Sequence, residues 1–140
     1  MVLVRQGINM VIRFGKINRD IFLNHEVRNM ETELFGICPY TTTQVLIQGK
    51  WAVLMLYHIA QGPIRFNELQ RRLPHMTNAT LSTQLKKFEQ YGLIERKSYN
   101  EMPLRVEYSL SEIGKAFLPV LKSIEQFGYT YIDFLKEKEV

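Results

Sequence analysis

One cysteine, Cys38, and three histidines, His25, His58 and His75, are the side chains with which this 140-residue chain could hold a metal or attack a substrate. Their spacing supports neither. A lone thiol and three scattered imidazoles do not make a structural zinc set, so no metal is expected. No paired carboxylates share an apolar stretch, no glycine-rich phosphate loop is present, and no histidine lies at a helpful distance from Cys38. Neither an enzyme nor a cofactor is expected from that inventory. A single cysteine also rules out an intrachain disulfide, which suits the reducing cytoplasm.

The remaining chemistry is polar and cationic. From Thr77 to about Tyr91 the apolar residues Leu81, Leu85 and Phe88 fall within roughly 60° of one another at about 100° per residue. The opposite face carries Ala79, Thr80, Ser82, Thr83, Lys86, Lys87 and Gln90. Thr77, Asn78, Thr80, Ser82 and Thr83 are small donors and acceptors of the kind that meet base edges in a DNA major groove. Lys86 and Lys87, with Lys50, Arg65, Arg71, Arg72, Arg96, Lys97 and Arg105, are the flexible cations that phosphate contacts require. Each of these taken singly is an ordinary solvated side chain. Their distribution is less ordinary. The net charge of +4 divides as +1 over residues 1–49, +5 over 50–97 and −2 over 98–140. One block therefore holds more than the whole net charge, as expected of a module with one anion-facing side.

Several elements must position these residues. Residues 1–29 show no clean period, and residues 1–36 are read as an N-terminal extension to a domain over 37–140. Pro39 disfavours helix at Cys38. Thr41, Thr42 and Thr43 offer N-caps to a short helix ending at Gly49. A second helix over 50–61 places Trp51, Leu54, Met55, His58 and Ile59 on one face, making Trp51 and His58 core residues. A third covers 67–73, and Pro74 ends it. Thr77 opens the fourth, and Gly92 closes it. The period then changes from 3.6 to 2: residues 93–99 and the alternating 104–110 form a hairpin around Asn100-Glu101-Met102-Pro103. Ser111 caps a terminal helix of about 25 residues, bent at Pro119. Its stripe includes Phe117, Leu121, Ile124, Phe127 and Tyr131, more than a small domain can cover, so a second copy of the helix is the simplest partner. No apolar run is long enough to span a membrane. The fold class is mainly α with a β-hairpin wing (α+β), a winged helix-turn-helix with a long C-terminal dimerisation helix.

The residues that carry this plan also resemble a known family. Cys38-Pro39, Gly49-Lys50-Trp51, Arg65-Phe66-Asn67-Glu68-Leu69, Leu85 through Gly92-Leu93-Ile94-Glu95-Arg96, Pro103, Arg105-Val106-Glu107-Tyr108-Ser109-Leu110, Gly114 and Leu118-Pro119-Val120-Leu121 closely resemble the HxlR-type winged-helix transcription regulators, near the MarR group. The resemblance covers residues 37–129 and departs at His75, where Gly is frequent, and at Leu104, where a second Pro is common. It implies a homodimer on a pseudo-palindromic operator in double-stranded DNA. The helix from Thr77 would lie in the major groove, and the hairpin along the backbone or minor groove. The terminal helix and segments before Lys50 would make the dimer contacts.

Some members of that family sense electrophiles or oxidants through a cysteine near the N-terminus, and Cys38 occupies the matching Cys-Pro position. Two readings of Cys38 stand: a small hydrophobe at a dimer seam, or a thiol activated by a helix N-terminus. The alternative to DNA binding is a winged-helix module whose basic face binds protein.

Overall fold

The computed structural model describes residues 33–139, so the expected extension over 1–36 lies almost wholly outside the described residues. The elements are α1 (Pro39–Leu46), α2 (Ala52–Ile59), β1 (Ile64–Arg65), α3 (Phe66–Arg72), α4 (Asn78–Gln90), β2 (Ile94–Tyr99), β3 (Arg105–Leu110), α5 (Glu112–Lys115) and α6 (Leu118–Lys138). The winged-helix order is as expected, with one addition. β1 pairs antiparallel with β3, Ile64 opposite Tyr108 and Arg65 opposite Glu107, so the hairpin becomes a three-stranded sheet in the order β1-β3-β2. Two residues are too few to show a period of 2 in the sequence.

α1 begins earlier than the threonines suggest. Cys38 is its N-cap, in an extended conformation, and Pro39 takes the first helical position, where a missing N–H costs nothing. Thr42 and Thr43 lie inside the helix, and their hydroxyls donate back to the carbonyls of Cys38 (2.7 Å) and Pro39 (2.9 Å). In α2 the buried face is Ala52, Met55, Leu56 and Ile59, while Leu54 is exposed and Trp51 and His58 are half-buried. The buried face is therefore rotated from the expected one toward Ala52 and Leu56.

α4 is as expected. Leu81, Leu85 and Phe88 meet Met55, Leu56, Ile59 and Leu69 in one apolar cluster, and Ile94 and Leu110 close it from the sheet. Gly92, with φ of 73°, turns the chain out of the helix into β2.

The terminal element is two helices. Ser111 caps α5 by accepting from the amide of Gly114 at 3.0 Å, and its hydroxyl donates to the carbonyl of Gly92. The chain breaks after Lys115, and Pro119 lies in the first turn of α6. A proline there sacrifices no helical hydrogen bond, so it starts a helix where the sequence suggests a bend in one.

Gly114 is held close to β2. A Cβ built there would run into the carbonyl oxygen of Leu93, far inside van der Waals contact. Gly→Ala in an unconstrained helix is stabilising by about 1 kcal/mol. Gly114→Ala is expected to do the opposite, costing about 1–3 kcal/mol in urea unfolding through overpacking. A variant as stable as the parent would show that the contact yields.

Candidate nucleic-acid interface

α3 and α4 are joined through residues 73–77. Leu73 and Met76 are buried in this turn, while Pro74 and His75 are exposed. Gln70 locks it from inside: its side-chain amide donates to the carbonyl of Met76 at 2.6 Å. Thr77 then caps α4, accepting from the Thr80 amide at 3.1 Å, with the two hydroxyls 2.8 Å apart. A second glutamine supports the helix from below. Gln84 is the one buried polar residue of α4, and its Oε1 would sit 3.1 Å from a Cβ at Gly49, in the turn between α1 and α2. Neither glutamine is identifiable from sequence, because each acts through a tertiary contact with no periodic signature.

The outward face of α4 is open. Asn78, Ala79, Thr80, Ser82, Thr83, Lys86 and Lys87 are all exposed, as is Thr77 at its start. Thr83 donates to the Ala79 carbonyl at 2.9 Å and keeps its oxygen lone pairs available. Small polar groups therefore occupy the first two turns, and the lysines follow a turn later.

The expected cations fall into two sets. Arg65, Lys86, Lys87 and Arg96 are exposed and pair with no carboxylate among the described residues. The others are engaged. Arg71 (2.9 Å) and Arg72 (3.2 Å) share the carboxylate of Glu68. Lys50 lies over the Trp51 ring at 5.0 Å, and Lys97 over the Tyr99 ring at 4.8 Å. Arg105 is only 28% exposed and sits between Glu101 (3.4 Å) and Glu107 (3.8 Å). The hairpin as a whole, residues 94–110, carries three bases and three acids. It is neutral, and the cationic surface belongs to the helix-turn-helix, where residues 50–93 hold six bases and two acids.

Cys38 is free and half-buried at the N-terminus of α1. The Thr41 backbone amide, then its hydroxyl, and the Tyr40 amide hold its thiol below the ordinary range, against a small opposing effect of burial. Burial and then the charge of Arg72 lower the pKa of His58, which is half-buried rather than part of the core and whose Nδ1 has no hydrogen-bond partner among the described residues.

The expected dimerisation residues divide as well. Phe117 and Leu121 pack against the chain's own core. Ile124, Phe127 and Tyr131 are exposed, and no residue of α6 is buried. The rings of Phe127, Tyr131 and Phe134 follow one another at 6.2 and 5.5 Å along the free face. Among the described residues no cluster of His, Cys, Asp and Glu could hold a metal, and no helix is long and apolar enough to cross a membrane.

A helical core, a short turn into an exposed polar helix and an antiparallel hairpin beside it define a winged helix-turn-helix DNA-binding domain. The chain belongs to the HxlR-like helix-turn-helix family, whose model matches residues 46–136. That family consists of transcription regulators rather than enzymes. YdeP of Bacillus subtilis, described as an uncharacterized HTH-type transcriptional regulator, is 39% identical over 105 residues, covering 75% of this chain and 82% of its own. The redox regulator HypR in its reduced form is 35% identical with a TM-score of 0.68, over 71% of this chain and 99% of its own. The reduced form of the B. subtilis transcriptional regulator YodB is 30% identical with a TM-score of 0.59, over 64% of this chain and 89% of its own.

Proposed function

We propose that the chain is a cytoplasmic, sequence-specific regulator that binds a pseudo-palindromic operator as a homodimer and is controlled through Cys38. The observation that carries the DNA reading is the open face of α4: polar groups over its first two turns, then two lysines with no carboxylate partner among the described residues. In this reading α4 enters the major groove, with Asn78, Thr80, Ser82 and Thr83 toward base edges and Lys86 and Lys87 toward phosphates. Arg65 and Arg96 flank it on the sheet.

Binding to a labelled mixed-sequence duplex should weaken with salt by about 0.9 log unit per log unit of salt for each phosphate neutralised. Lys86→Ala with Lys87→Ala should lower that slope by up to about 1.8. An unchanged slope would place the phosphates elsewhere. A wild-type chain that binds no duplex at any salt would favour the protein-interaction alternative.

The dimer reading rests on α6, whose aromatic face finds no cover among the described residues. Native mass should be twice the chain mass at micromolar concentration, and Phe127→Glu with Tyr131→Glu should return it to the monomer. A dimer that survives both changes would move the interface off α6.

Control through Cys38 is supported by its place at the α1 N-terminus, by donors that favour the thiolate, and by likeness to HypR and YodB, the former described as a redox regulator. Diamide would take two protons and two electrons from a pair of thiols, Cys38 and either the Cys38 of a second copy or a small thiol, leaving a disulfide and a hydrazine. Diamide should therefore release DNA from the wild type in the presence of glutathione and leave Cys38→Ser bound. Equal release from both proteins would rule the thiol out.

A further inference from the structure

By residue type Arg105 is a phosphate ligand, but its surroundings give it another task. Its guanidinium carbon lies 3.8 Å from the centre of the Tyr99 ring, directly across the β2–β3 ladder. Its Nη2 is 3.4 Å from Glu101 Oε1, and its Nε faces Glu107 Oε1 at 3.8 Å as a charge contact without a hydrogen bond. The Tyr99 hydroxyl donates to the other oxygen of Glu107 at 3.1 Å, which holds ring and carboxylate together. Lys97 shares the Tyr99 ring at 4.8 Å, but its side chain is exposed and no carboxylate pairs with it among the described residues.

To reach a phosphate, Arg105 would have to leave the ring and uncover two carboxylates on the very hairpin that approaches the polyanion. Like charge brought up to DNA opposes binding, and a guanidinium stacked and flanked in this way is already committed. We propose that Arg105 is a positioning residue: it neutralises Glu101 and Glu107 and fixes Tyr99, so that the wing can lie against DNA while Lys97 makes the phosphate contact. This rests on the DNA-binding reading above.

The test is a salt titration of the full chain on the same mixed-sequence duplex, with circular dichroism confirming that each variant is folded. Lys97→Ala should lower the slope by about 0.9. Arg105→Gln should weaken binding about three- to tenfold, because the carboxylates it uncovers repel the duplex. In a Glu101→Gln, Glu107→Gln background the same change should cost no affinity, since Arg105 then has nothing to neutralise. If Arg105→Gln itself unfolds the hairpin, comparison of the Glu101→Gln, Glu107→Gln chain with the triple variant carries the test. An Arg105→Gln loss of equal size in both backgrounds would make Arg105 a phosphate ligand and overturn the proposal. Unchanged affinity in Arg105→Gln alone would overturn it too. A wild type that binds no duplex would instead remove the DNA reading on which it rests.

Discussion

Phe88 has no surface left to solvent, and the rest of the interface depends on that burial. α4 must be solvated on one side and fixed on the other. Phe88, Leu85 and Leu81 wedge it between α2, α3 and the sheet, and a helix so seated presents its polar side at one angle only. Losing a ring of that size from a core costs about 3–5 kcal/mol, a large part of the stability of a small domain. The same side chains thus hold the domain together and orient its reading face. Gln70 adds direction to the non-directional apolar contact by holding the turn before α4, and Gln84 lies against the turn between α1 and α2.

Electrostatics follows the same division. Arg105 at the wing is neutralised by Glu101 and Glu107, while Lys86 and Lys87 on α4, with Arg96 and Lys97 on β2, pair with no carboxylate among the described residues. A neutral hairpin beside a cationic helix gives attraction that is focused rather than spread.

The parts legible in the sequence were those with local causes. α4 follows from a helical period and a threonine cap, the hairpin from a change of period around a turn, and the start of α5 from Ser111. The parts that were not legible depend on contacts between distant residues or on a choice between two equal local options. β1 exists only because β3 is there to pair with it. Thr42 and Thr43 can cap or bond back along a helix, and Pro39 settled the matter by starting α1 first. Pro119 is equally compatible with a kink and with a first turn, and it takes the first turn of α6. In the candidate site, exposure of the α4 residues was predictable from phase. The capture of Arg105 was not, because it depends on which residue faces Tyr99 across the ladder.

The 21 residues of α6 include none that is buried, and among the described residues only its first turn packs against the core. A helix that leaves its parent domain gains little beyond its own hydrogen bonds, and short solitary helices are marginal in water. In the proposed homodimer the far half of α6 would depend on association in a way that α4 does not, and by mass action its order would rise with the amount of protein present. Frayed chain is what proteases cut first. Under that reading cellular abundance would become a structural variable: scarce copies would be exposed to turnover and plentiful ones shielded, a threshold on dosage set by one helix.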